Sequence, residues 1–346
     1  MSAVTSTPRI TSVQPLWALA GSLVVISGEG FSVDPPVQFR IGGELARVVR
    51  VSGQAVTLMV PAGLEGGRTA VRVEGVPGET AYIDVATPLA TGLHLVDSPV
   101  FDREGNLYVT FSGSRGQQVP ISIFVVRPDG TREPFASQVP NPTSMAFGPD
   151  GMLYVSSRFD GSIYRIAPGG ATSVFATDLG VACGIAFGPD ERLYVGDRSG
   201  SILRVSEGRA TLVASIPASI AAFHLAFGPD GLLYVTAPTL SPRDPIYQVS
   251  LSGDVEVFHD GFGRPQGLAF DDRGGLFVVD SVAGWSGVYR LRLDRSEPPQ
   301  QVIAGGDLIG LAFDPRGGIV FGSQDAAYRL NLDMRGLLAS VSAERS

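Results

Sequence analysis

The sequence predicts an all-β protein, a small β-sandwich followed by a six-bladed β-propeller. Three observations carry the prediction. A phrase of strand, turn and strand returns six times at nearly constant spacing. The stretch before its first copy follows a different, period-two pattern. The 44 glycines and 25 prolines fall between apolar runs, where they mark turns.

Residues 1–87 lack the phrase. "PRITSVQPLWALAGSLVVISGEGF" alternates short β runs with Gly and Pro, and the later "AVRVEG" alternates apolar and polar residues. Several short strands spaced by turns in so short a length read as a sandwich. Residues 88–92, inside "ATPLATG", read as a linker, and residues 93–346 as the propeller.

The six copies end their first strand at Phe101, Phe147, Phe187, Phe227, Phe270 and Phe313, with gaps of 46, 40, 40, 43 and 43 residues. Each copy carries four β-like stretches; in the second they are Ser144–Phe147, Met152–Ser156, Ser162–Ile166 and Thr172–Ala176. "GIAF" and "RLYV" are nearly continuous apolar runs, which suit sheets covered on both faces. A four-stranded sheet with two apolar faces is not stable alone, whereas a ring of them buries both faces. The repeated Phe, Leu and Tyr therefore read as filling between blades. "LLASV", residues 337–341, is placed to be the last outer strand and close the ring; a segment near Thr91–Val96 closing it from the other end is the alternative.

Composition excludes several classes. Apolar residues make up 44% and charged residues 17%, which suits a large core and not a disordered chain. Net charge is -8 with no run of like charge, so no nucleic-acid partner is expected. All 26 basic residues are Arg, which removes lysine Schiff-base chemistry. Cys183 is the sole cysteine, so no internal disulfide forms. No segment reaches the length of a membrane helix, and the start lacks a signal core. These features read as a cytoplasmic protein without membrane insertion, export remaining open if a leader was removed.

The first domain resembles the IPT/TIG family of immunoglobulin-like domains through "ITSVQP", "GSLVVISGEGF", "VPAG" and "TAVRVEG". The resemblance implies a spacer or interaction domain. The propeller resembles NHL-repeat proteins and the gluconolactonase/regucalcin-like family through "SPVF", "GIAFGPDERLYVGD" and "PQGLAF". That resemblance implies a divalent cation at the mouth of the central channel. Its ligands would include an acidic residue before the first inner strand, and an Asn and an Asp at the equivalent places of the third and fourth blades. Here the six places hold Asp97, Thr143, Cys183, Phe223, Gln266 and Ile309. Asp97 keeps an acid, but Cys183 and Phe223 stand where the Asn and Asp belong. A hard cation needs several oxygen ligands, so no cofactor is expected, with Ca²⁺ or a similar ion required only if the protein is a hydrolase of that family.

Asp97, Cys183 and His224 are the candidate catalytic residues, and Asp97 is the one candidate metal ligand. Cys183 and His224 open adjacent inner strands, which allows a thiol nucleophile or soft-metal pair, against the usual role of a free Cys as a small buried hydrophobe. Asp97 has the alternative of ordering the first strand through backbone bonds. The loops on the same face carry Arg158, Asp197, Arg198, Asp280 and Trp285, which with Thr143 and Gln266 form the candidate ligand-binding set. Arg and Trp are common binding anchors; Asp197 and Asp280 sit where turn-forming Asp is favoured. The expected function is a non-catalytic binding scaffold whose loop face and first domain meet a protein or carbohydrate. The alternatives are a metal-dependent lactone or ester hydrolase and a streptogramin-lyase-like enzyme, the latter matched loosely by His224.

Overall fold

A computed structural model describes residues 7–94, 96–221, 223–281 and 285–337. Among them there is no helix, and the repeats form six four-stranded antiparallel units. Blades 1 to 5 run in chain order from inner to outer strand: Val100–Phe101 to Arg132–Ala136, Pro142–Phe147 to Thr172–Ala176, Ala182–Phe187 to Arg209–Ser215, His224–Phe227 to Val255–Phe262, and Pro265–Phe270 to Gln300–Ala304. Blade 6 has Gly310–Phe313, Ile319–Gly322 and Ala326–Leu330, and borrows its outer strand, Thr87–Thr91, from the N-terminal side.

The recurring phrase is a small machine for joining blades. In Gly-Pro-Asp-X, the Asp carboxylate accepts the backbone N–H two residues on, which locks the turn, and the Tyr hydroxyl four residues on. Tyr154 donates to Asp150 at 2.9 Å, Tyr194 to Asp190 at 3.1 Å and Tyr234 to Asp230 at 2.8 Å. Each Tyr ring then meets the strand-ending Phe of the next blade edge to face, at 5.0 to 5.1 Å between centroids for these three. Gly188 leaves no space for a side chain, since a Cβ there would stand 2.8 Å from Tyr194 and 3.1 Å from Phe227. In blades 5 and 6 the Tyr becomes Phe277 and Val320, and the Asp moves to the place after the Phe. Deprived of a phenol, Asp314 pairs instead with Arg316 and Arg329, both at 2.8 Å.

Ring closure follows the alternative, from the N-terminal side, through a strand a few residues earlier than Thr91–Val96, and not the favoured segment 337–341. Residues 88–92 are not a free linker: Thr87–Thr91 pairs antiparallel with Ala326–Leu330, matching Thr91 to Ala326 and Thr87 to Arg329. Ala90 and Leu89 join the core between blades 6 and 1. Of the segment expected to close the ring, Leu337 donates its backbone N–H to Phe270 O at 2.9 Å, beside blade 5, while 338–341 lie outside the described residues. The outer position of blade 6 is filled by the N-terminal strand. Pro88 is tolerated because an outer strand has one edge with no partner to serve.

The N-terminal domain is a two-layer sandwich. Arg9–Gln14, Leu23–Glu29, Ala55–Met59 and Glu44–Val51 form one layer, and Phe39–Ile41, Gly67–Val73 and Thr80–Val85 the other, Glu44–Val51 pairing with Ala55–Met59 in the first and with Phe39–Ile41 in the second. Inward residues alternate along the strands, as Val24 and Ile26 or Val71 and Val73 do, around fully buried Phe39 and Leu58. Trp17–Ala18 lies between the domains, parallel to Thr80–Val85 on one side and to the outer strand of blade 5 on the other. Twelve strands therefore make one continuous sheet. The cores interlock as well: Ala304 of blade 5 packs into the sandwich, while Leu19 and Ala86 pack into the propeller.

Candidate functional site

The inner strands converge on a central cavity of about 130 Å³, to which every blade contributes, among others through Asp97, Ser144, Ile185, His224, Gly267 and Gly310. Asp97 belongs to blade 1 and His224 to blade 4, half a turn apart, so their side chains meet across the axis. His224 Nε2 stands 3.3 Å from Asp97 Oδ1, and both residues are more than nine-tenths buried. The approach is close but misaligned. Neither His224 nitrogen nor Asp97 Oδ2 makes a hydrogen bond with the protein.

The other expected ring positions do not join this pair. Cys183 is buried among Phe223, Leu225 and Val235 in the core between blades 3 and 4. Burial first, and the charge of Asp97 second, push its thiol up to about 12, against the weaker pulls of the Phe223 backbone hydrogen bond, Arg198 and Arg158. The thiol is therefore protonated at neutral pH, and the nucleophile reading of Cys183 falls. A thiol reagent such as iodoacetamide is expected to leave the native protein unmodified and to label Cys183 on unfolding; fast labelling of the native protein would refute this, read by intact mass. Phe223 is fully buried and packs over Gly196, where a Cβ would meet its ring at 2.7 Å. Thr143 is buried and donates to Asn141 O at 3.3 Å. Gln266 spends its amide N–H on Ser281 Oγ at 2.9 Å and Leu308 O at 3.4 Å.

The divalent cation implied by the gluconolactonase resemblance does not fit these residues. One carboxylate lies on the axis, Phe223 and Cys183 face the core, and the hydroxyl and amide are engaged with neighbouring loops. Among the described residues no group of three or more His, Cys, Asp or Glu side chains is placed to hold a metal.

The loop-face residues divide into two sets. Asp197 and Asp280 are buried and serve the backbone: Val181 N–H donates to Asp197 Oδ1 at 2.8 Å, and Arg264 N–H to Asp280 Oδ1 at 2.7 Å. Burial raises the Asp280 carboxyl above its usual range, and the backbone N–H groups of Arg264 and Gly263 oppose that. Arg158 and Arg198 are half-buried and fasten neighbouring loops, through Ser112 Oγ at 3.2 Å and Ile220 O at 2.8 Å. Trp285 is 53% exposed, and its carbonyl accepts the Tyr289 hydroxyl at 2.8 Å.

Sequence reasoning passed over three features of this face. Asn141, at φ 42°, staples blade 2 to the blade 1 loop, donating to Ser112 O at 2.7 Å and Ser114 O at 3.0 Å and accepting from Gly116 N–H at 2.7 Å. Its signal was the Asn-Pro dipeptide at a loop end. Phe159 and Leu240 stand 51% and 87% exposed at loop tips, legible as apolar residues among turn formers.

Comparison with known proteins agrees with this architecture. The IPT/TIG domain model matches residues 8–84. A search of curated proteins gave no match. Among solved structures, a protein provisionally assigned as a gluconolactonase is 19% identical, with TM-score 0.58 over 73% of this chain and 93% of that one. An auxiliary nutrient binding protein from Bacteroides thetaiotaomicron is 13% identical, with TM-score 0.56 over 94% of this chain and 98% of that one. Virginiamycin B lyase from Staphylococcus aureus is 14% identical, with TM-score 0.51 over 71% of this chain and 99% of that one. At such identities these likenesses establish the fold alone. The chain carries an IPT/TIG domain at residues 8–84, followed by a β-propeller.

Proposed function

We propose that the protein is a binding scaffold that recognises a protein or carbohydrate through the propeller loop face, with the IPT/TIG domain as a second contact surface. The observation that supports this most is the size and lining of the axial cavity. At about 130 Å³ it is well under the roughly 300–1,000 Å³ of pockets that enclose a small-molecule ligand. Recognition then falls to the outer surface, where Arg158, Arg198 and Trp285 supply residue types common at binding hot spots. The likeness to nutrient binding proteins points the same way.

Screening the whole chain against immobilised glycans and peptides tests the reading. Hits are expected to vanish when Arg158, Arg198 and Trp285 are all changed to Ala, with Tm held within a few degrees. Hits that survive the triple change would show that the loop face is not the binding surface.

A second reading is enzymatic, as a lactone or ester hydrolase or a lyase, and one observation favours it. Asp97 and His224 form a buried acid–imidazole pair with unpartnered polar atoms directed into the cavity. Titration calorimetry with Ca²⁺, Mn²⁺ and Zn²⁺ separates the readings. The scaffold predicts no binding tighter than the millimolar range. Tight stoichiometric uptake that disappears in Asp97→Ala would favour the hydrolase instead.

A further inference from the structure

Some arginines of this protein are neutralised by acids, and others have no ionic partner among the described residues. Arg127 pairs with Glu133 at 2.8 Å, Arg292 with Asp294 at 3.1 Å, and Arg316 and Arg329 with Asp314 at 2.8 Å. On the loop face, blades 1 to 5 present Arg115, Arg158, Arg198, Arg243 and Arg264. None of these five guanidinium groups lies within ion-pair distance of a carboxylate among the described residues.

Acids are present on the same loops, but three of them are turned inward. Asp197, Asp244 and Asp280 are buried and hold loop backbone, Asp244 accepting Thr239 N–H at 3.0 Å and Thr239 Oγ1 at 2.6 Å. In this sector Asp160, Asp178 and Asp260 remain exposed, and the first two already accept a neighbouring hydroxyl, from Tyr164 at 2.6 Å and Thr177 at 2.9 Å. A chain of net charge -8 thus keeps a sector of surface guanidinium groups without ionic partners. Apolar side chains stand among them: Phe159, Ile220, Leu240 and Trp285 are exposed on the same face.

We infer that the sector of the loop face spanning blades 1 to 5 docks an acidic protein segment in which carboxylates alternate with aliphatic side chains. This rests on the binding-scaffold reading and names the partner's chemistry. Charge complementarity calls for an anion. The aliphatic Leu240 and Ile220 select a polypeptide over an acidic glycan or a nucleic acid, whose polar backbones gain little from aliphatic loop tips. Exposed Arg interleaved with large apolar groups is also the composition of protein-binding hot spots.

The test uses the whole chain and a fluorescent peptide of repeated Glu-Glu-Leu, followed by anisotropy and by the emission of Trp285. Saturable binding is expected, weakening as salt rises. It should weaken about tenfold or more in Arg115→Ser/Arg243→Ser/Arg264→Ser, and again in Leu240→Ser. Those four side chains are exposed and make no hydrogen bond or ion pair among the described residues, so the fold is expected to survive their loss. A Gln-Gln-Leu peptide should bind far more weakly. Equal binding of the two peptides, no loss in the arginine variant, or preference for polygalacturonate or oligothymidylate over the Glu-Glu-Leu peptide would each overturn the inference. The array screen keeps the two proposals apart: neutral hits that vanish with Arg158, Arg198 and Trp285 would leave the scaffold standing and remove the acidic partner.

Discussion

A chain that starts at Leu93 is expected to lose its closed ring, although the repeat pattern alone would place the propeller's first residue there. The outer strand of blade 6 would be missing. Ala326–Leu330 would lose its antiparallel partner, and Ala90 its place against Val320 and Ala327. A chain that starts at Thr87 keeps that strand and differs by six residues. At several kcal/mol for the lost ladder and buried apolar contacts, the shorter chain should melt roughly 10 °C or more below the longer one. Circular dichroism melts and size-exclusion elution of the two chains read this directly. Equal melting temperatures would show that the ring does not depend on Thr87–Thr91. Both truncated chains also expose the edge of Gln300–Ala304 that Trp17–Ala18 covers, so both are expected to aggregate more readily than the whole protein.

Tyr234→Ala is expected to destabilise the protein by about 3–5 kcal/mol, against about 1 kcal/mol for Tyr234→Phe. The ring is 1% exposed and meets Phe270 and Phe258 edge to face, each at 5.1 Å. Its hydroxyl donates to Asp230 at 2.8 Å and accepts from Gln248 Nε2 at 2.7 Å. Burial, then the bond to Asp230 and its charge, push the phenol above its ordinary value, so it remains a donor throughout the neutral range. Ala removes the wedge between blades 4 and 5, while Phe keeps the wedge and loses only the hydroxyl. Denaturant unfolding measures both. Equal losses would mean that the hydroxyl network, and not the packed ring, joins the blades.

The blades were legible because each copy repeats the same chemistry. In blade 2 the third and fourth strands, Ser162–Ile166 and Thr172–Ala176, fall where the sequence places them, and the first two shift by two residues or fewer at an end. The closing strand was legible only as the alternative near Thr91–Val96, and its bounds were not. Thr87-Pro88-Leu89-Ala90-Thr91 reads as a linker because its partner lies more than two hundred residues away, and no local pattern encodes that pairing. The candidate site was half legible. Asp97 and His224 could each be named, but their meeting across the axis needs the finished ring. Cys183 failed as an axial residue for a reason of register, whereas in blade 4, which has no such slip, the axial place is simply one residue on from Phe223, at His224. The inner strands of blades 2, 3 and 5 shift register near their starts, in blade 3 between Ala182 and Ile185. Counting back from the strand-ending Phe therefore loses the face on which a side chain lies, because a slip of one residue reverses it. The exposed arginines were visible as residues, but their lack of acidic partners is a three-dimensional fact.

The Trp17–Ala18 strand has a mechanical consequence. Because backbone hydrogen bonds run unbroken from the immunoglobulin-like sheet into blade 5, the two halves have no slack tether between them. Two targets gripped at once, one by each half, would be held at a fixed spacing and angle. Avidity would then arise for assemblies whose own geometry matches that bracket, and mismatched pairs would gain nothing from the second grip.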